Sequence, residues 1–100
     1  MKERVYKGNL IFEIESDGDK YDLFEKAVAV CRSITNLNEI KYYTGFFDDA
    51  SFWFIYENID ARLEYSGFMG TELKVSEDID KKELEIIRQL ATRIYEEVNS

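Results

Sequence analysis

The most restrictive feature of this sequence is a run of four strand-like segments joined by short turns. The segments are residues 39–47, 51–58, 61–66 and 71–76. Apolar and charged side chains alternate along most of them with a period of two, which is typical of strands that bury one face. Connections this short favour antiparallel pairing, because a parallel crossover needs a dozen or more residues. The run therefore predicts an antiparallel meander.

A further strand is predicted before the meander, over residues 5–15. Its alternating residues are Leu10, Phe12 and Ile14 on one face and Ile11, Glu13 and Glu15 on the other. Gly8 and Asn9 indicate either a bulge or a turn before a shorter strand. Residues 16–19 interrupt the alternation and predict a turn.

The first helix is predicted over residues 20–35, where apolar residues recur at steps of three and four. Asp19 is the expected N-cap, since its carboxylate can accept a hydrogen bond from a free backbone N–H. Asn36 suits the left-handed conformation that commonly ends a helix. This helix carries Cys31, which is the one cysteine of the chain and is interpreted as a buried small apolar side chain.

The second helix is predicted over residues 81–98. Asp80 and Glu83 have the spacing of a capping box, in which each side chain accepts a bond from the other's backbone N–H. Ile79 and Leu84 have the spacing of a hydrophobic staple across the same helix start. The N-cap aspartate, its partner Glu83 and the staple therefore agree on where this helix begins.

The predicted order is β-α-β-β-β-β-α within a single domain that covers residues 1–100. A chain of 100 residues is long enough for one domain with a core and too short for two. We expect an α+β fold, a two-layer sandwich in which two helices cover one face of the sheet. The sheet is expected to be mostly antiparallel, with four to five strands.

The charges and residue types exclude several kinds of chemistry. The chain has 21 acidic and 13 basic residues, a net charge of −8, which disfavours binding to nucleic acid or to an anionic membrane. No histidine is present, so histidine general bases, triads and metal ligands are excluded. With one cysteine, a zinc site would need carboxylates alone. We expect a protein without catalytic activity, cofactor or metal.

The sequence also predicts a cytoplasmic protein. No apolar segment approaches the roughly 20 residues of a membrane span. The first residues are not followed by the apolar stretch of a signal peptide. An unpaired cysteine suits a reducing compartment.

The segment 51–58 departs from the alternation of the other strands. Its face with Phe52 and Phe54 is apolar, but Trp53 and Ile55 make the opposite face apolar as well. A strand that is apolar on both faces is expected to be covered on both. The cover for the Trp53 face is either the loop at 67–70, a second copy in a homodimer, or a partner protein.

Acidic residues are concentrated in the segments 13–25 and 48–64. An acidic surface with tyrosine and tryptophan nearby is suited to a basic protein partner, because opposite fields steer association. The candidate partner-binding residues are Asp17, Asp19, Asp22, Tyr43, Asp48, Asp49, Trp53 and Asp60.

Other sites that acidic residues or glycines could form are poorly matched. Asp17 and Asp19 alternate as calcium ligands do, but Gly18 between them and the lack of a third aligned ligand do not fit an EF-hand loop. The carboxylates are too numerous to single out a glycosidase pair. Residues 67–70 lack the spacing and the lysine of a phosphate-binding loop.

In size, acidity, α+β pattern and lack of catalytic residues, the chain resembles small bacterial immunity proteins of the contact-dependent-inhibition and polymorphic-toxin systems. The resemblance implies that the chain binds a cognate toxin domain, often a nuclease, and blocks its active site. It transfers no individual residues, because no family motif is present. A phage-encoded inhibitor of a host defence nuclease and an acidic secretion chaperone share the same general features.

Overall fold

The computed structural model describes residues 1–45 and 49–100 and has an α+β fold with six strands and two helices in that part of the chain. The elements are β1 (Glu3–Tyr6), β2 (Asn9–Glu15), α1 (Tyr21–Arg32), β3 (Leu37–Thr44), β4 (Asp49–Tyr56), β5 (Ile59–Ser66), β6 (Gly70–Ser76) and α2 (Lys81–Val98). The strands form one open sheet in the order β1-β2-β6-β5-β4-β3. Every neighbouring pair is antiparallel, and the predicted meander is its β3–β6 part.

The sheet has one strand more than the upper limit of the predicted four to five. Lys7 and Gly8 have φ angles of 50° and 82°, the left-handed geometry of a tight two-residue hairpin turn. This turn divides the predicted strand 5–15 into β1 and β2. Glu57 and Asn58 make a second turn of the same kind, with φ angles of 52° and 64°, between β4 and β5.

The strand β2 lies between β1 and β6, so the chain's N-terminal hairpin joins the far side of the meander. Its register pairs Phe12 with Leu73 of β6, and both are buried in the core. Ile11, on the opposite face of β2, is also buried, because it lies between Arg4 of β1 and Lys74 of β6. The alternation in β2 therefore does not separate a buried face from an exposed one.

The two helices pack on each other, α1 against β3, β5 and β6, and α2 against β2. Phe24 of α1 contacts Tyr42 and Tyr65 through ring packing, with centroids 6.4 and 6.0 Å apart. Cys31 of α1 is buried, as predicted, and burial raises the pKa of its thiol to about 12. The placement of both helices on one face stays a prediction.

The helix termini confirm one prediction and correct two. Asp80 and Glu83 form the predicted capping box at the start of α2, with bonds of 2.8 and 3.0 Å. Asp19 does not cap α1. The N-cap is Lys20, without a side-chain bond, because the turn of residues 17–20 delays the helix start. Asn36 is not among the residues with positive φ, and α1 ends at Arg32, before the predicted end.

Three positions used in the sequence analysis lie outside the described residues. They are Phe46, Phe47 and Asp48, the end of the predicted strand 39–47 and the start of the predicted turn. Among the helices of the described part, none is long and apolar enough to cross a membrane.

Candidate functional site

Two rows of side chains cross the face of the sheet that carries Trp53, which we call the polar face. The first row consists of Lys41, Trp53, Arg62, Lys74, Ile11 and Arg4. The second row consists of Tyr43, Ser51, Glu64, Glu72 and Glu13. Directly paired side chains on one face lie about 5 Å apart within each row. The two rows are two residues apart along each strand, so a mainly basic row and a mainly acidic row run side by side.

Ion pairs join the two rows and balance their charges. Glu64 pairs with Arg62 at 2.5 Å and with Lys74 at 2.7 Å. Burial raises the pKa of Glu64, but the bonds from Lys74 and Arg62 outweigh it and hold that pKa below its ordinary value. Glu72 pairs with Arg4 at 2.5 Å. Burial raises the pKa of Glu72 in spite of Arg4 and Lys74. Both carboxylates at the centre of the polar face therefore already have cationic partners.

Trp53 lies at the border between this ion-paired centre and the edge strand β3. Its side chain is 40% exposed, and its indole N–H donates to the hydroxyl of Ser51 at 3.0 Å. Tyr43, one row away on β3, is 49% exposed. Phe68, in the loop that could have covered Trp53, is 95% exposed and so buries little against anything in the described structure.

The loop from β2 to α1 and the turn from β5 to β6 meet at one end of the sheet, which we call the acidic end. Gly18 approaches Gly67 so closely that a Cβ on Gly18 would lie 1.8 Å from the Gly67 carbonyl oxygen. The Gly18 carbonyl also accepts a hydrogen bond from the hydroxyl of Tyr65. These contacts hold the loop that carries Asp17 and Asp19 against the end of β5.

The carboxylates of this loop are partly occupied by the loop's own backbone. Asp17 accepts from the backbone N–H of Asp19 at 2.9 Å, and Glu15 accepts from that of Asp17 at 3.0 Å. Such local bonds stabilise a turn. Asp17 therefore has a structural role, whereas the exposed carboxylate of Asp19 has no bond within the described residues.

Asp22 and Asp49 belong to the acidic end as well. Asp22 is in the first turn of α1, next to Tyr21, whose ring lies edge-on to Tyr65 at 5.0 Å. Asp49 begins β4 and pairs with Ser66, the residue before Gly67. Asp49 and Tyr43 also line one depression of about 260 Å³ on the polar face, together with Ser51 and Glu64.

Asp60 is separated from the other candidate residues. It pairs with Ile55 at the start of β5, whereas Asp49 pairs with Ser66 at the end of that strand. Six residues of strand cover about 20 Å, so Asp60 lies near the opposite end of the sheet. Asp48 lies outside the described residues. Asp17, Asp19, Asp22 and Asp49 thus lie at one end of the sheet. Tyr43 lines a depression with Asp49, whereas Trp53 lies four residues further along β4, between Lys41 and Arg62.

The exposed edge of the sheet at β3 is a feature that sequence reasoning missed. Every residue of β3 after Leu37 is exposed, including Ile40 at 62% and Tyr42 at 37%. The alternation along residues 39–47 predicts Ile40 and Tyr42 on the apolar face of the strand. Tyr42 does pack on that face, against Phe24 and Phe52, but its edge position leaves it partly exposed, and Ile40 lies at the register shift. The alternation was a weak signal here, because the same pattern arises in central and edge strands and only the strand order distinguishes them.

The site offers little for metal or nucleophilic chemistry. Within residues 1–45 and 49–100, no group of three or more carboxylate or thiol side chains is arranged to hold a metal ion. The Cys31 thiol is buried with a raised pKa, so its thiolate is not accessible at neutral pH. What the described residues offer is an exposed aromatic and acidic surface suited to non-covalent contacts.

Comparison with protein-family models, curated proteins and solved structures finds no match to this chain.

Proposed function

We propose that this chain is a non-catalytic protein-binding module that binds a basic protein domain through the acidic end and the adjacent aromatic side chains. The proposed binding residues are Asp19, Asp22, Tyr43, Asp49 and Trp53. The observation that carries the proposal is the position of exposed Tyr43 beside Asp49, at an acidic end that has more carboxylates than cations. Exposed Trp53 lies four residues further along the same strand as Asp49. Aromatic residues commonly dominate binding energy at interfaces, and rim charges commonly set the association rate.

The distribution of charge supports the acidic end over the centre of the polar face. Glu64 and Glu72 are already paired with Arg62, Lys74 and Arg4. At the acidic end, Lys20 lies 4.0 Å from Glu15, but within the described residues Asp19, Asp22 and Asp49 form no ion pair. A basic partner therefore meets unbalanced negative charge at the end of the sheet.

Two further features favour binding over catalysis. The chain has no histidine, and its cysteine is buried. The proposal keeps both helices on the face of Phe52, opposite Trp53, which is consistent with the ring contacts from Phe24 of α1 to Tyr42 and from Tyr42 to Phe52. The polar face then stays open to a partner.

In its most specific form, the proposal is a cytoplasmic immunity protein that blocks a basic, nuclease-like toxin domain. A phage-encoded inhibitor of a defence nuclease and an acidic secretion chaperone are alternative forms of the same binding function. Gene neighbours separate these forms. An immunity protein is expected directly downstream of a large toxin gene, an anti-defence protein among prophage genes, and a chaperone beside its effector gene.

The test begins with affinity purification of the tagged chain from its native host and mass spectrometry of the partners. The association rate of the recovered partner is then measured between about 50 and 300 mM salt, because counter-ions screen such steering over roughly 6 to 14 Å. Asp19→Lys with Asp49→Lys should slow association and reduce its salt dependence. The matched control is Asp60→Lys, at the opposite end of the sheet, which should change both much less.

Two results contradict this proposal. One is an association rate that is equally affected by charge reversal at either end, which would make the negative charge a general property of the surface. The other is turnover of a substrate by the purified chain that persists after removal of the recovered partner.

A further inference from the structure

The turn between β5 and β6 carries the most exposed large apolar side chain of the described residues. Phe68 is 95% exposed, and Met69 beside it is 44% exposed. The turn consists of residues 67–69, because Ser66 pairs directly with Gly70. Glycine and small polar residues dominate turns, since water surrounds them. The packing of the described residues therefore does not account for a phenylalanine at this position.

This turn is held in place at both of its ends. At one end, it lies against Gly18 of the β2–α1 loop. At the other end, a Cβ on Gly70 would lie 2.0 Å from the carbonyl oxygen of Glu15, so the two backbones are in contact there as well. The backbone N–H of Met69 also donates to the hydroxyl of Ser66 at 3.0 Å. An aromatic side chain on such a fixed turn loses less conformational freedom on binding than one on a loose loop does.

Carboxylates lie at the base of the turn. The β2–α1 loop, which packs on the turn, carries Asp17 and Asp19. Asp49 pairs with Ser66, the residue immediately before the turn. Within the described residues, neither Asp19 nor Asp49 forms an ion pair. An apolar tip with free carboxylates at its base is complementary to an apolar pocket with a basic rim.

Four lysines lie near the same end, namely Lys2, Lys20, Lys26 and Lys74. Lys74 shares a depression with Met69 but is bonded to a carboxylate of the polar face at 2.7 Å. Lys20 lies 4.0 Å from Glu15, and Lys2 lines a cleft with the same carboxylate. Lys26 donates to a backbone carbonyl at the end of α2. Lys41 pairs four residues after Asp49 on β4, about 13 Å away. The carboxylates of residues 13–25, with Asp49, outnumber the four lysines, so the net charge around the turn is negative.

We infer that Phe68 is the anchor of the proposed interface and inserts into an apolar pocket of the basic partner domain, with Asp19 and Asp49 facing cations at the rim of that pocket. The inference rests on the proposed function and names the side chain that holds the partner. Buried aromatic anchors commonly dominate binding energy, whereas rim charges mainly set the association rate. A second copy would bring a net charge of −8 against the same charge, and an anionic membrane would be repelled in the same way.

Photo-crosslinking in the native host tests the position of the contact. Phe68 is replaced by benzoylphenylalanine, and the same replacement of Tyr6 is the control. Tyr6 is also exposed, at 58%, but it pairs with Asn9, at the opposite end of β2 from Glu15. Position 68 should crosslink to a basic protein domain, and position 6 should not. No crosslink from position 68, or equal yields from the two positions, would overturn the inference.

The crosslinked protein, expressed separately, gives the quantitative test. Phe68→Ala should weaken its binding by about thirtyfold or more, mainly through faster dissociation, with an unchanged salt dependence of association. Because Phe68 is exposed, the urea midpoint of this variant should match that of the wild type. Phe68→Leu keeps an apolar side chain and should bind more tightly than Phe68→Ala, and the control Tyr6→Ala should bind like the wild type. Wild-type affinity of Phe68→Ala would contradict the inference.

Two outcomes separate this inference from the proposed function. If Asp19→Lys with Asp49→Lys slows association but Phe68→Ala binds like the wild type, the acidic end binds the partner without Phe68. If sedimentation shows dimers that Phe68→Ala abolishes, or if the chain binds phosphatidylcholine vesicles only when Phe68 is present, the occupant is a second copy or a membrane. Each of these results overturns the anchor and leaves the proposed function standing.

Discussion

Arg62 lies over the ring of Trp53, with its guanidinium carbon 5.0 Å from the ring centroid. The same guanidinium donates to Glu64 at 2.5 Å. Trp53 is thus held in position by a cation that also belongs to the ion-paired centre of the polar face. One side of the indole packs on the protein, and the rest is free for a partner.

This contact predicts different effects of two neighbouring substitutions. Trp53→Ala removes a side chain that is 40% exposed, so it should lower the free energy of unfolding by less than Phe52→Ala does. It should also speed dissociation of the partner. Phe52→Ala removes a fully buried ring and should cost about 3–5 kcal/mol. Urea unfolding of both variants checks the stabilities. A loss of several kcal/mol for Trp53→Ala would mean that Trp53 is a core residue.

The capping box of α2 can be tested with a control two residues away. Asp80→Ala should destabilise the fold by ~1 kcal/mol, because the backbone N–H of Glu83 loses its acceptor. Asp78→Ala removes a similar charge but no capping bond and should change stability little. Thermal or urea unfolding of the two variants measures the difference. Equal effects would show that charge near the helix start matters and the cap does not.

The second turn of α2 should be more sensitive than the first. Ile87→Ala should cost ~2–5 kcal/mol, because Ile87 is fully buried and its truncation leaves a cavity. Leu84→Ala should cost less, since Leu84 is only partly buried against the core. Denaturant midpoints with unchanged slopes would check this order. A larger effect of Leu84→Ala than of Ile87→Ala would mean that the buried side of α2 is assigned incorrectly.

The two paired glutamates of the polar face should respond to pH in opposite directions. Because the pKa of Glu64 is lowered in the fold, ionised Glu64 stabilises the fold at pH values above 4.5, the ordinary pKa of a glutamate. That stabilisation is lost as pH falls through the lowered pKa. The raised pKa of Glu72 means that the fold holds this proton more tightly than the unfolded chain does. The stabilisation from protonated Glu72 is therefore present below pH 4.5 and is lost as pH rises through the raised pKa.

Unfolding free energies of the wild type, Glu64→Gln and Glu72→Gln between pH 3 and 8 test this contrast. Relative to the wild type, Glu64→Gln should become less stable as pH rises from 3, and Glu72→Gln should become more stable. Parallel pH profiles for the two variants would refute the contrast, and the shared contact with Lys74 would then be the dominant interaction.

Local features of the fold could be predicted from the sequence, and long-range ones could not. The capping box of Asp80 and Glu83 involves residues three apart, so its spacing is visible in the sequence. At Gly8 and Asn9 the sequence left two alternatives, a bulge or a turn, and the structure has a turn at Lys7 and Gly8. The position of β2 beside β6 depends on contacts across 60 residues, and no local pattern specifies it.

The same limit applies to the candidate site. Clustering along the chain suggested an acidic surface, but the strand order decides which of its residues meet. Asp49 and Asp60 are close in sequence and lie at opposite ends of the sheet, whereas Asp17 and Asp49 are distant in sequence and share an end. The exposure of Tyr42 follows from the edge position of β3, which the alternation of apolar residues does not encode.

The close approach of Gly18 to Gly67 has a consequence for anyone who wishes to redesign this surface. Any side chain at Gly18 would collide with the backbone of Gly67 and separate the β2–α1 loop from the β5–β6 turn. A change in one of these two connections therefore has to be accommodated by the other. A library that varies Asp19 and Met69 while keeping both glycines would sample new surfaces on an unchanged frame, whereas one that varies Gly18 would mostly sample displaced loops.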